Sequence, residues 1–198
     1  MQKNKYKGID IENALKKAKI DLEEYEENLV INNIIENENE VEIEVIEKRE
    51  IINYINNCIK ELLSRMGFSI EVDIEDKEET PKFIINSNRD ALLIGKNGKN
   101  LKSLNIIIKE MLKKELKTKF QFIIDVSKYN QKRVEYLKKL AINISKEVKK
   151  TRIEAKLDSM NSYERMIIHI ILKNDRYVYT ESTGEEPNRH IIIKPKED

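Results

Sequence analysis

The chain has 198 residues, 39% hydrophobic and 37% charged, which supplies small cores under a heavily solvated surface and no run near the roughly 18–20 apolar residues that span a bilayer. The single Cys58 excludes an internal disulfide framework, and MQKNKYKGIDIENA lacks the apolar core of a secretory signal, so a soluble, cytoplasmic protein is expected. The formal charge of +1 hides a segregation: residues 1–80 carry 11 Lys/Arg against 21 Asp/Glu, residues 81–157 carry 20 against 7, and residues 158–198 carry 6 against 8. The middle region has the electrostatic footprint of a polyanion binder, with a generally Lys-, Asn- and Ile-rich composition as the bland alternative.

Residues 1–47 read as strand, helix, strand, strand. Asp10 suits a helix N-cap, and Ile11, Ala14, Leu15 and Ala18 form the apolar face of a helix running through Ile20. Leu29–Ile31 and the alternating Val41–Val45 then bracket the polar turn Glu36-Asn37-Glu38-Asn39.

Residues 48–127 read as αββααβ. Ile51, Ile52, Ile55, Cys58, Ile59, Leu62 and Leu63 share one helical face that ends at Gly67. Strands Phe68–Ile74 and Phe83–Ile85 flank the charged turn Glu75–Pro81. A short helix over Asn88–Ile94, the turn Gly95-Lys96-Asn97-Gly98, a helix to Leu116 and a strand over Phe120–Val126 follow.

The turn Ile94-Gly95-Lys96-Asn97-Gly98 holds two of only five glycines. Glycines there permit a sharp reversal and a close backbone approach to a ligand. The amides opening the next helix lack intrahelical partners and suit phosphate. At about 100° per residue, Leu101, Leu104, Ile108, Met111 and Leu112 cluster on one face of that helix. Lys99, Lys102, Lys109 and Lys113 form a stripe centred roughly 140° away by the same arithmetic. Ile106 falls inside the lysine stripe, where it either lines an apolar nucleobase groove or is simply exposed.

This turn within αββααβ resembles the type II KH domain of bacterial RNA-binding proteins, whose G-x-x-G loop clamps about four single-stranded nucleotides. The resemblance implies that Ile94, Gly95, Lys96, Asn97, Gly98, Lys99 and Lys102 form the RNA contact.

Residues 128–198 open with a basic helix over 129–150 and a strand over 152–157. Asn161 and Glu164 have the spacing of a capping box, beginning a helix to Lys173. Its apolar side is assigned Tyr163, Met166, Ile167, Ile170 and Ile171, extended by Ile168 and Leu172. Arg165 and His169 stand at i and i+4 and are expected to project as one polar stripe. A guanidinium offers phosphate a planar fork and an imidazole adds a donor, although such a pair read alone is more often a local packing feature. Strands over 177–180 and 189–194 flank the turn Gly184–Asn188.

The block Asn161-Ser162-Tyr163-Glu164-Arg165-Met166-Ile167-Ile168-His169, with Glu181–Arg189 downstream, resembles the Arg-x-x-x-His single-strand nucleic-acid-binding domain. With the glycine turn upstream, residues 48–198 resemble the bacterial Jag (SpoIIIJ-associated) family. That resemblance implies three small α+β domains (1–47, 48–127 and 128–198). It also implies contacts from Arg165, His169 and, more weakly, Arg189 to single-stranded RNA or DNA. A KH-protein partner or homodimer, and a role in envelope, cell-shape or division regulation, belong to the same expectation. The family's Gly- and Phe-rich N-terminal loop is missing here, so nothing assigned to that loop carries over. The alternative is an interaction scaffold that recruits a protein through the acidic first region. No cofactor, metal cluster or catalytic constellation is expected: the chain has two histidines, one cysteine and no H-E-x-x-H or Cys/His grouping.

Overall fold

The computed structural model describes residues 1–37, 40–76 and 80–196. Glu38 and Asn39 of the first expected turn, and residues 77–79 of the second, lie outside the described residues. The protein is α+β, with three separate three-stranded sheets, and its contacts divide it into two compact units, Met1–Ser127 and Lys128–Asp198.

In the first unit β1 (Asn4–Gly8), α1 (Ile11–Asp21), β2 (Leu29–Glu36) and β3 (Val41–Glu47) build an antiparallel sheet of order β1-β3-β2. The Asp10 carboxylate accepts the Asn13 N–H, the expected N-cap, and Ala14 and Ala18 are fully buried against Ile43 and Val45. β2 runs longer than its apolar core because a bulge follows Ile31. The extra residue, Asn32, turns inward and is 3% exposed. Its amide donates to Glu44, and its Oδ1 accepts the backbone N–H of Lys117 at 2.7 Å. Lys3 Nζ donates to the Glu115 carbonyl at 2.8 Å, so two residues of the first sheet grip the chain near 115–117.

β3 passes directly into α2 (Lys48–Arg65), which buries Ile51, Ile52, Ile55, Cys58, Ile59 and Leu63. Gly67, with φ at +79°, lets Phe68 N–H return to the Leu63 carbonyl and close the helix end. β4 (Ile70–Glu75) and β5 (Lys82–Ser87) pair antiparallel; α3 (Asp90–Ile94), a 3₁₀ turn at Lys96–Gly98 and α4 (Lys99–Glu115) then lead to β6 (Ile123–Val126), parallel to β5. Parallel neighbours need a crossover, and α3, the glycine turn and α4 are that crossover. The order αββααβ is therefore present. β6 is shorter than expected at its start: Phe122 instead turns into the core, edge-to-face with Phe83 at 6.0 Å.

The second unit contains α5 (Tyr129–Thr151), β7 (Ala155–Lys156), α6 (Ser162–Leu172), β8 (Val178–Thr183) and β9 (His190–Pro195), with sheet order β7-β9-β8. Its core joins Leu137, Ala141 and Val148 of α5 to Ile167, Ile168 and Leu172 of α6 and to Val178, Ile191 and Ile193 of the sheet. The strand expected over 152–157 shrinks to two residues. Arg152 ends α5 in the left-handed conformation (φ +57°), and only Ala155 and Lys156 reach the register of β9.

Candidate nucleic-acid interface

The glycine turn is built by backbone conformations that side chains disfavour. Gly95, Asn97 and Gly98 have φ of +69°, +53° and +74°, all in the region where a Cβ is penalised. A Cβ on Gly95 would lie 2.6 Å from the Asn100 side chain. Asn100 holds the turn from the other side, donating from Nδ2 to the Leu92 carbonyl at 2.8 Å. The base of α3 is equally tied: the Asp90 carboxylate accepts the Ser87 N–H at 2.8 Å and the Ser127 hydroxyl. Neither Asn100 nor Asp90 carries a sequence signal, since each acts on residues that only the folded turn brings near.

α4 begins at Gly98, which has no side chain to cap it. Its first amides thus keep their partial positive charge available to an anion. Lys96, Lys99 and Lys102 are exposed beside this opening, while Ile94, Gly95, Asn97 and Gly98 are half-buried in the turn. Leu101, Leu104, Ile108 and Leu112 fill the packing face as expected. Ile106, 53% exposed, lies among the lysines at the surface.

In the second unit the capping box on α6 is present. Asn161 Oδ1 accepts the Glu164 N–H at 3.0 Å and Glu164 Oε2 accepts the Asn161 N–H at 3.0 Å. The remaining Glu164 oxygen takes Arg133 Nε at 2.7 Å, an almost buried ion pair from α5. The N-x-x-E spacing foretold the box, but nothing local to Glu164 foretold Arg133.

The expected Arg165–His169 stripe does not form. Arg165 is 8% exposed. Its guanidinium donates to the Met160 carbonyl at 2.7 Å and to Glu186 Oε1 at 2.9 Å, joining the helix entry to the turn between β8 and β9. His169, one turn on, points elsewhere: Nδ1 lies 2.6 Å from the Thr180 hydroxyl of β8. Burial, and secondarily the Arg165 charge, pull its pKa below the ordinary imidazole value, favouring the neutral ring near pH 7.

The apolar side assigned to α6 also splits. Ile167, Ile168 and Leu172 face the core together with Glu164 and Arg165, whereas Tyr163, Met166 and Ile170 are exposed. At about 100° per residue these three form a stripe of their own beside His169. His169, Ile170, Lys173, Tyr179, Thr180 and Lys196 line an open cleft of about 290 Å³. Arg189 is exposed and donates from Nε to Ser182 Oγ at 3.1 Å across the hairpin.

Residues 135–195, covering most of this second unit, match the family of Arg-x-x-x-His domains. The chain is 30% identical over 156 residues to the RNA-binding protein KhpB of Bacillus subtilis (strain 168), covering 78% of this chain and 75% of that protein. The chain belongs to the KhpB family. It is 36% identical over 142 residues to KhpB of Clostridium symbiosum, covering 71% of this chain and 64% of that protein. With KhpB of Lactiplantibacillus plantarum it shares 28% identity over 145 residues, 73% of this chain but 44% of that longer protein. Among the described residues no helix is long and apolar enough to cross a membrane, and no group of three His, Cys, Asp or Glu side chains could hold a metal.

Proposed function

We propose that this protein binds single-stranded RNA without catalysis, using a KH-type clamp in residues 48–127 and the His169 cleft in residues 128–198. The observation that carries the reading is the glycine turn: three residues at positive φ, followed by an uncapped helix start and exposed Lys96, Lys99 and Lys102. Phosphates fit the helix amides and lysines, and bases fit the neighbouring apolar surface. The names of the KhpB relatives and the Arg-x-x-x-His domain match support the same assignment.

In the second unit the neutral His169 ring keeps Nε2 for a ligand while Thr180 holds Nδ1. Lys173 and Lys196 are the cations of that cleft, and Tyr179 offers a base a stacking surface. Arg165 acts here as the anchor of the 184–188 turn, and Arg189 as an exposed hairpin cation. Two modest sites on one chain raise the effective concentration of RNA at the second once the first is filled. We assign the protein to cytoplasmic post-transcriptional control bearing on the cell envelope or division, the setting that the Jag resemblance implies. Single-stranded DNA is the competing ligand.

A scaffold role is favoured by one observation: Ile34 and Ile35, each 44% exposed, lie on the edge strand β2 within the acidic region, where a KH-protein partner or a second copy could dock.

Fluorescence anisotropy with labelled single-stranded RNA across a salt series tests the main reading. Binding is expected to weaken steeply with salt as phosphate counterions are recovered. Gly98→Asp, which adds bulk and negative charge at a φ of +74°, is expected to weaken it at least tenfold. Affinity indifferent to salt, or a Gly98→Asp protein that binds like the parent, refutes the clamp.

A further inference from the structure

The lysine stripe of α4 does not end at the glycine turn. At its other end the helix and residues 116–123 enclose a cleft of about 780 Å³, whose lining includes Lys109, Lys113, Lys117, Lys119, Phe120 and Phe122. We propose that this cleft is a further contact for the same RNA strand, accepting a base and its flanking phosphates beyond those held by the clamp; the inference rests on the RNA-binding reading above.

Three observations converge on it. The first is chemical. Four ammonium groups surround two phenyl rings, and Lys109 Nζ already lies 5.9 Å from the Phe122 centroid. Single-strand sites pair this kind of positive charge with aromatic surface for stacking. Glu110 is the one acidic side chain in the lining, and its 3.6 Å pair with Lys113 is exposed on both sides and therefore weak. Lys117 and Lys119 have no carboxylate partner among the described residues.

The second observation is continuity. Lys99, Lys102, Lys109 and Lys113 all lie exposed along α4, so an unbroken track of cations leads from the turn to the cleft. Fifteen residues separate Gly98 from Lys113, about 22 Å along the helix axis. That reach lies beyond a clamp that holds about four nucleotides.

The third is that the cleft is held open. Phe122 is fixed by its edge contact with Phe83, and the Lys117 N–H is secured by buried Asn32. The walls are therefore set before a ligand arrives, which lowers the ordering cost of binding.

The test uses the full chain and two labelled single-stranded RNAs, about four and about twelve nucleotides long. The parent is expected to bind the longer RNA more tightly. The triple variant Lys113→Gln/Lys119→Gln/Phe120→Ala should bind the short RNA within about twofold of the parent and lose roughly ten- to hundredfold on the long one. The double variant Lys113→Gln/Lys119→Gln, which leaves the aromatic wall intact, should reduce the salt slope on the long RNA by about 1.4.

If the variants match the parent on the long RNA, or lose equally on both lengths, the cleft is not a contact, although the clamp stands. If the parent binds neither RNA, the RNA-binding reading itself fails, and this inference with it.

Discussion

Replacing Arg165 by Met separates an anchoring arginine from a ligand-contacting one. The methionine nearly fills the same volume but removes the donor that satisfies the buried Met160 carbonyl at 2.7 Å. A hydrogen bond from a charged group is worth about 1.5–3 kcal/mol, and the orphaned carbonyl keeps its desolvation cost. The partner Glu186 is 63% exposed, so the ion pair adds at most about 1 kcal/mol after solvent screening. The expected loss is thus about 2–4 kcal/mol, confined to the unit spanning Lys128–Asp198. For a domain of this size each kcal/mol lowers the melting temperature by about 4–8 °C, so its transition should fall by at least about 8 °C. Glu186→Gln, which removes only the exposed half of the arrangement, should move it by a few degrees.

Thermal unfolding followed by circular dichroism, with RNA titrations well below both transitions, reads the two roles apart. Anchoring predicts a large loss of stability and only a small change in affinity for the protein still folded. An Arg165→Met protein that melts like the parent yet loses RNA affinity would refute the assignment and return Arg165 to the binding surface.

His169 predicts two opposite pH slopes. Its folded pKa lies below the ordinary value near 6.5, so the unfolded chain takes up the proton first. The unit should lose stability as pH falls from about 6.5 through the folded pKa. RNA affinity should rise over the same interval as the imidazole gains charge, and His169→Gln should flatten both curves measured between about pH 5 and pH 8. Asn32→Ala removes the partner of the Lys117 N–H; chemical denaturation should report a loss of about 1–3 kcal/mol in the first unit. Gly8→Ala would set a Cβ 2.5 Å from Ala14 N and 2.8 Å from the Asp10 carbonyl oxygen, both backbone atoms. It should cost about 1–3 kcal/mol by the same measurement, and an unchanged midpoint would show that α1 shifts freely.

Much of the architecture was legible because its determinants are local. The Asp10 cap, the face of α2, the Gly67 terminus, the packing face of α4 and the Asn161–Glu164 box each rest on residues within a turn or two of one another. What the sequence could not display were commitments made over distance. Periodicity showed that α6 is apolar, but its broad apolar arc did not say which part meets α5 and the sheet. The structure buries Ile167, Ile168 and Leu172 and leaves Tyr163, Met166 and Ile170 outside. The Arg165–His169 spacing was visible, but the destination of each head group was not. Met160, Glu186 and Thr180 decide it, and no spacing rule connects them to α6. Residues 120–122 look like a strand by composition, yet the pull of Phe83 on Phe122 shortens β6 and opens a cleft instead.

The inward-turned Asn32 makes the first sheet a lever. It sits at a bulge in an edge strand, and its far end grips Lys117 while Lys3 holds Glu115. A partner that tugged on β2 would therefore tug on the wall of the lysine cleft, with no need for a relay of moving parts. Removing residues 1–47 would cut that lever and let the wall sag. A shortened chain would then report a weakened RNA grip even though none of its RNA-contacting side chains had been touched.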